Sequence, residues 1–248
     1  MSQFTRLLLK TAWWTERLSA YAQGKGYGTA SIEQENALTH KLLRRRPALA
    51  IDIGANVGDY TAELRRRNPS LEIHAFEPAT VNVHKLKARF GGDPLIHIQP
   101  CAVSSESGSA TLHGPDPGSG LSSLAHRRLD HIGIPFENRE QVNTIRFEDY
   151  WINTLNRRHL DIVKIDIEGF ELAALHGAGE AIANTSVLQF EFGGCNIDTR
   201  TFFQDFWYFF HENGFALYRI TPIGLDAMTR YRELDEFFST TNFIAARP

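Results

Sequence analysis

From residue 48 to residue 101 the chain alternates short apolar runs with stretches of helical periodicity: strands at 48–53, 72–77 and 95–101 enclose helices at 58–67 and 80–90. The apolar runs are near-continuous rather than alternating, the pattern of strands buried on both faces. Successive strands separated by a helix can pair in parallel only if the helix crosses over a face of the sheet. The predicted class is therefore α/β, a mainly parallel seven-stranded sheet with helices on both faces. The rhythm lapses between 104 and 141, where Gly, Ser and Pro cluster, and this stretch is expected to form a long surface excursion that can cover a site. It then resumes with a strand at 142–147, a helix at 149–156, the strand of DIVKIDIEG, a helix at 169–176, a strand at 187–192, a helix at 199–212, and closing strands at 215–221 and 242–247.

Residues 4–46 read differently. Leu7, Leu8, Trp14 and Leu18 recur at near-helical spacing, and Gly24, Gly26 and Gly28 break the pattern. The expected division is a helical extension over 1–46 and a main domain over 47–248. The segment at 199–212 carries Phe202, Phe203, Phe206, Trp207, Tyr208, Phe209 and Phe210, which predicts a helix buried on most sides. A homo-oligomer interface or a platform beneath a substrate are its other readings.

The formal net charge is -3, and the arginine runs at 44–46 and 65–67 are isolated, so nothing in the charge calls for a nucleic-acid partner. Two cysteines, Cys101 and Cys195, are too few for a disulfide framework, and no Cys/His spacing resembles a zinc site. A reducing, cytoplasmic setting is expected. The leucine run at 7–9 is broken by charges, which predicts neither a signal peptide nor a membrane span.

The stretch AIDIGANVGDYT, residues 50–61, places Gly54, Asn56 and Gly58 at the carboxyl edge of the first strand, where an open parallel sheet binds its ligands. If Asn56 stands in for the second glycine of a dinucleotide fingerprint, the third falls on Asp59, so the pyrophosphate pattern is broken. Asp52 before the turn would repel phosphate and attract an ammonium or sulfonium. Glu77, 25 positions later in HAFEP, is placed to accept hydrogen bonds from both ribose hydroxyls of a nucleoside. A ribose, a cationic neighbour and no phosphate together describe S-adenosylmethionine.

These residues also carry a family resemblance. DIGANVGDYT, FEP, and KIDIEGFELAALHGA followed by FEF resemble the FkbM-type methyltransferases, over about residues 48–192. The resemblance implies a Rossmann-like methyltransferase fold and cofactor contacts at Asp52, Gly54, Asn56, Gly58, Thr61 and Glu77, with Ala102 and Val103 near the adenine. It further implies methyl transfer to oxygen on a saccharide, glycan or natural-product acceptor. Residues 1–46 lie outside it.

The chemistry is expected where adjacent strands bring Asp166, Glu168 and Glu191 to one edge of the sheet. Crowded carboxylates raise each other's proton affinity, and one of them can then remove the acceptor's hydroxyl proton. The same oxygens could instead hold Mg²⁺. Glu171 reads as a helix-dipole partner, and His113, His126 and His131 in the excursion are further candidates for the base. Two readings compete with methyl transfer: an NAD-type oxidoreductase on a similar sheet, and a non-catalytic module that keeps the cofactor pocket.

Overall fold

The computed structural model describes residues 2–28 and 31–248. Two helices, α1 (Gln3–Ala22) and α2 (Ile32–Lys41), precede the sheet, each opened by a serine whose side chain accepts from a backbone N–H of the first turn. The strand-helix rhythm then appears as β1 (Leu49–Ile53), α3 (Asp59–Arg67), β2 (Glu72–Phe76), α4 (Thr80–Phe90) and β3 (Ile96–Gln99). Every residue of β1 is buried, because the strand pairs in parallel on both sides and carries helices on both faces.

After β3 the chain leaves the main sheet. β4 (Ala102–Ser104), β5 (Gly108–Gly114) and β6 (Asn138–Arg146) form a separate three-stranded sheet in the order β4-β6-β5. The predicted strand at 142–147 is thus real but belongs to this second sheet, and part of the supposed surface excursion is a strand. Pairing of 108–114 with 138–144 spans a long loop, and no local pattern announces it.

The main sheet resumes with α5 (Phe147–Asn153), β7 (Leu160–Ile165), α6 (Glu171–Gly177) and β8 (Thr185–Phe192). Next come α7 (Cys195–Thr199), α8 (Phe203–Glu212), β9 (Ala216–Thr221), β10 (Gly224–Met228) and β11 (Thr241–Ala246). Its order is β10-β9-β11-β8-β7-β1-β2-β3, eight strands rather than the seven expected, with β10 as the unforeseen edge. β9, β10 and β11 are antiparallel to their neighbours. The chain winds outward from β1 through β2 and β3 and later returns to β7 on the other side of β1. That reversal leaves a crevice beyond the carboxyl ends of β1 and β7, where such sheets bind ligands.

The helix expected at 199–212 is α8, which starts at Phe203; a separate short α7 precedes it and is ended by Arg200, whose φ is 60°. Phe203, Phe206 and Phe210 are fully buried, and Phe206 stacks on Phe190 of β8 at 5.1 Å. Phe202 and Tyr208 remain 50% exposed, so only one side of α8 is buried. α2 also packs on the sheet, with Leu38 against Val187, Ile220 and Ile244. No helix among the described residues is long and apolar enough to cross a membrane.

Candidate active site

The first turn is built by backbone geometry. Gly54 has φ +83°, and a Cβ there would collide with the Asp166 carbonyl oxygen at the end of β7. Gly58 has φ +86°, and its missing Cβ makes room for Leu86 and Phe90 of α4. Both glycines therefore serve the approach of neighbouring protein segments, where the sequence suggested approach of a ligand. Asn56, at φ 51°, tolerates the left-handed conformation and turns its N–H to Glu77 Oε2 at 2.9 Å. Glu77 Oε1 accepts from Ala79 N, also at 2.9 Å. Each carboxylate oxygen thus keeps lone pairs for a ligand.

A single cavity joins this turn to the ends of β7 and β8, and its wall includes Gly54, Asn56, Glu77, Ala102 and Val103. Asp166, Glu168 and Glu191 also lie on it. Asp52, Gly58 and Thr61 do not. Asp52 is fully buried behind the wall, its Oδ2 accepting from Thr61 Oγ1 at 2.6 Å and its Oδ1 without a hydrogen bond. The contact expected between Asp52 and a cofactor has no direct counterpart on the cavity wall: the side chain is buried behind it, and its charged neighbour is a lysine.

That lysine, Lys164 of β7, was not singled out by the sequence reading. Its Nζ is 3.1 Å from Asp166 Oδ2 and 3.9 Å from Asp52 Oδ1, and it sits 5.1 Å from the centre of the Tyr60 ring. Burial acts to lower its pKa, but the two carboxylates outweigh that and the amine is held cationic. Burial raises the pKa of Asp52, while Lys164 and Thr61 oppose the rise. A cation inside LDIVKI, an otherwise apolar strand apart from Asp161, was the available signal.

Two of the three acidic candidates come together, while Asp166 shares the cavity wall but pairs with Lys164. Glu168 and Glu191 offer carboxylate oxygens that lie within 4.8 Å of each other and of the Cys195 sulfur. Glu168 has φ 55°, a strained position for a glutamate, and its carboxylate pairs with Arg127 from the loop before β6. The strain is held by Glu171: fully buried, it accepts from Ile167 N and Gly169 N, both at 2.9 Å, and so clamps the turn from within. This is a larger role than a dipole partner. Burial pushes both Glu168 and Glu171 up to about 7. Glu191 is raised well above the ordinary range by burial first and by the carboxylates of Asp166, Glu168 and Glu171 second.

Other groups divide plainly. The loop between β5 and β6 brings Ser119, Gly120, Ser122, Ser123 and Leu124 to the wall, so the excursion does cover the site. His113, His126 and His131 do not line it; His113 and His126 pack edge to face, 5.3 Å apart. Cys101 is on the wall with its thiol pushed up by burial to about 11, and burial also raises Cys195. Neither thiol is a ready nucleophile. Glu35 of α2 reaches the wall from the N-terminal extension, bonded to Gln189 at 2.6 Å and Asn242 at 2.9 Å, and burial pushes it up to about 7. Sequence periodicity treated α2 only as a preface, so this residue was missed.

The turn, Glu77 and the acid cluster line one cavity, and the family model Methyltransferase FkbM domain matches residues 52–217. The chain belongs to the FkbM methyltransferase family. It is an S-adenosylmethionine-dependent methyltransferase, and the dehydrogenase reading is set aside. The chain is 22% identical over 187 residues to 2-O-methyltransferase NoeI of Sinorhizobium fredii, covering 71% of this chain and 76% of that protein. It is 23% identical over 141 residues to Methyltransferase 1 of Beauveria bassiana, covering 51% of this chain and 57% of that one. Among solved structures, a methyltransferase FkbM from Methylobacillus flagellatus KT matches at 16% identity and a TM-score of 0.47, over 84% of this chain and 49% of that chain. The chain spans about half of that structure's chain, and the assignment rests on the family match alone.

Proposed function

We propose that this FkbM-family methyltransferase transfers its methyl group to a hydroxyl of a saccharide, glycan or natural-product acceptor, with Glu191 as the general base. The observation that carries the proposal is the state of Glu191 within its cluster. Asp166 is tied to Lys164 and Glu168 to Arg127, whereas no side-chain hydrogen bond holds the Glu191 carboxylate among the described residues. Its raised proton affinity makes its ionised form a stronger base toward a hydroxyl proton. The resemblance to NoeI, named as a 2-O-methyltransferase, supports oxygen as the accepting atom.

The wall fits S-adenosylmethionine. Glu77 keeps acceptor lone pairs for ribose hydroxyls, Ala102 and Val103 offer an apolar surface for a base, and Asp166 presents a carboxylate toward a cationic group. Asp52 contributes from behind, by fixing Lys164 and, through Thr61, the start of α3. Bound there, the cofactor supplies an electrophilic methyl group on a sulfonium. The residues orient the acceptor hydroxyl, exclude water beneath the 119–124 segment, and take up its proton at a Glu191 oxygen.

Mg²⁺ fits this donor set poorly. One of the three converging groups is a thiol held protonated, and Glu168 already faces a guanidinium, whereas the ion requires hard oxygen ligands in octahedral array. Incubation with labelled S-adenosylmethionine and a panel of hydroxylated saccharides, with and without chelator, tests both statements. Label on an acceptor oxygen at a chelator-independent rate is expected. Transfer only to nitrogen or carbon acceptors would refute the acceptor assignment, and activity that returns only with Mg²⁺ would refute the metal-free base.

A further inference from the structure

Eight of the fifteen large apolar side chains left exposed among the described residues lie on α1, and only Ala20 of that helix is buried. Phe4, Leu7, Trp14, Leu18 and Tyr21 follow one another by steps of three, four and seven residues, so they form one stripe along the helix. Their exposures run from 47% to 70%. A stripe of this size is not left to water without a use.

We propose that α1 is an interfacial helix that docks the enzyme on an anionic membrane surface, its stripe in the acyl boundary and its cations at the headgroups. The charges select this occupant. Arg6, Lys10 and Arg17 share the flank beside the stripe, while Glu16, the helix's single acid, lies on the far side. Arg17 rests its guanidinium 4.8 Å over the Trp13 ring, an aromatic-cation pair suited to the headgroup layer. A second copy laid against the stripe would bring these cations against each other or against uncharged Leu8 and Thr15, with no acid to meet them. α1 is too polar to cross a bilayer, and an amphipathic helix with a basic flank lies in the interface plane instead. The helix is fastened to the body at its far end: Gly24 packs against Ile220, and the Lys25 amine donates to the Leu234 carbonyl. Gly28, a few residues on, lines the cavity, so docking would hold the active site close to the lipid surface.

The full chain is to be sedimented with vesicles of phosphatidylglycerol and phosphatidylcholine in equal parts, and with phosphatidylcholine alone. Binding to the anionic vesicles only, weakened by salt and accompanied by a blue shift of tryptophan emission, is expected. The triple variant Arg6→Gln, Lys10→Gln, Arg17→Gln should lose about a hundredfold in partitioning, roughly fivefold per cation. Leu7→Ser with Leu18→Ser should abolish it, and both variants should bind S-adenosylmethionine as the parent does, which shows that they fold. Absence of vesicle binding by the parent, or partitioning that the charge variant leaves unchanged, would overturn the proposal. Concentration-dependent dimerisation through α1 without vesicle binding would overturn it too and assign the stripe to a second copy.

Discussion

Replacing Lys164 by Met removes the one cation that faces both Asp52 and Asp166, and the structure sets the scale of the damage. Asp166 is 37% exposed in its side chain and can turn to water, so its loss is small. Asp52 is fully buried with one oxygen already lacking a hydrogen bond, and Lys164 at 3.9 Å is its counter-charge. Breaking such a pair from one side costs about 3–5 kcal/mol. The sign with pH follows from Asp52, whose folded-state pKa lies above its unfolded value. Stability held below the unfolded pKa is lost as pH rises through the folded one. Without Lys164 the folded pKa moves further up, so the loss continues over more of the pH scale, at about 1.4 kcal/mol per unit. Urea denaturation of parent and variant at pH 5 and pH 8 should show the larger deficit at pH 8. Adding Asp52→Asn should recover much of it. An equal deficit at both pH values with no recovery would refute the idea that Lys164 neutralises a buried carboxylate.

Glu77→Ala should weaken S-adenosylmethionine binding by about 1–3 kcal/mol in calorimetry and lower the melting temperature modestly, because Asn56 N and Ala79 N lose their acceptor. Gly54→Ala should destabilise the fold severely by thermal melting, because the added methyl meets the Asp166 carbonyl and φ is +83°. With Glu191 raised, its base form is the minor one at low pH, so methyl transfer should climb with pH and flatten once the carboxylate is ionised; a rate independent of pH wherever the protein stays folded would argue against it.

Several residues that line the candidate site stand out in the chain because their signals are local. The break in the glycine fingerprint at Asp59, the acid closing HAFEP and the paired acids of KIDIEG each sit at a strand end that apolar runs make visible. What escaped was set by distant partners. Asp52 looks ligand-facing in sequence, yet Thr61 and Lys164 draw it behind the wall. Strand 142–147 looks like any other, yet it pairs with 108–114 and leaves the main sheet. Glu35 lies in a helix of ordinary periodicity and becomes part of the cavity only because α2 packs on β8 and β11 through Leu38. Glu171 clamps a turn two residues upstream, a contact that the left-handed backbone at Glu168 creates.

The most direct measurement is single-turnover methyl transfer with deuterated-methyl S-adenosylmethionine and the saccharide acceptor that the panel identifies, comparing the parent with Glu191→Gln at equal cofactor occupancy. The label should appear on an acceptor oxygen in the parent, and the variant should be slower by roughly 10²–10⁴ with its cofactor dissociation constant unchanged. A variant that turns over at the parental rate, or label found on nitrogen or carbon, would contradict the assignment of Glu191 as the base of an O-methyl transfer.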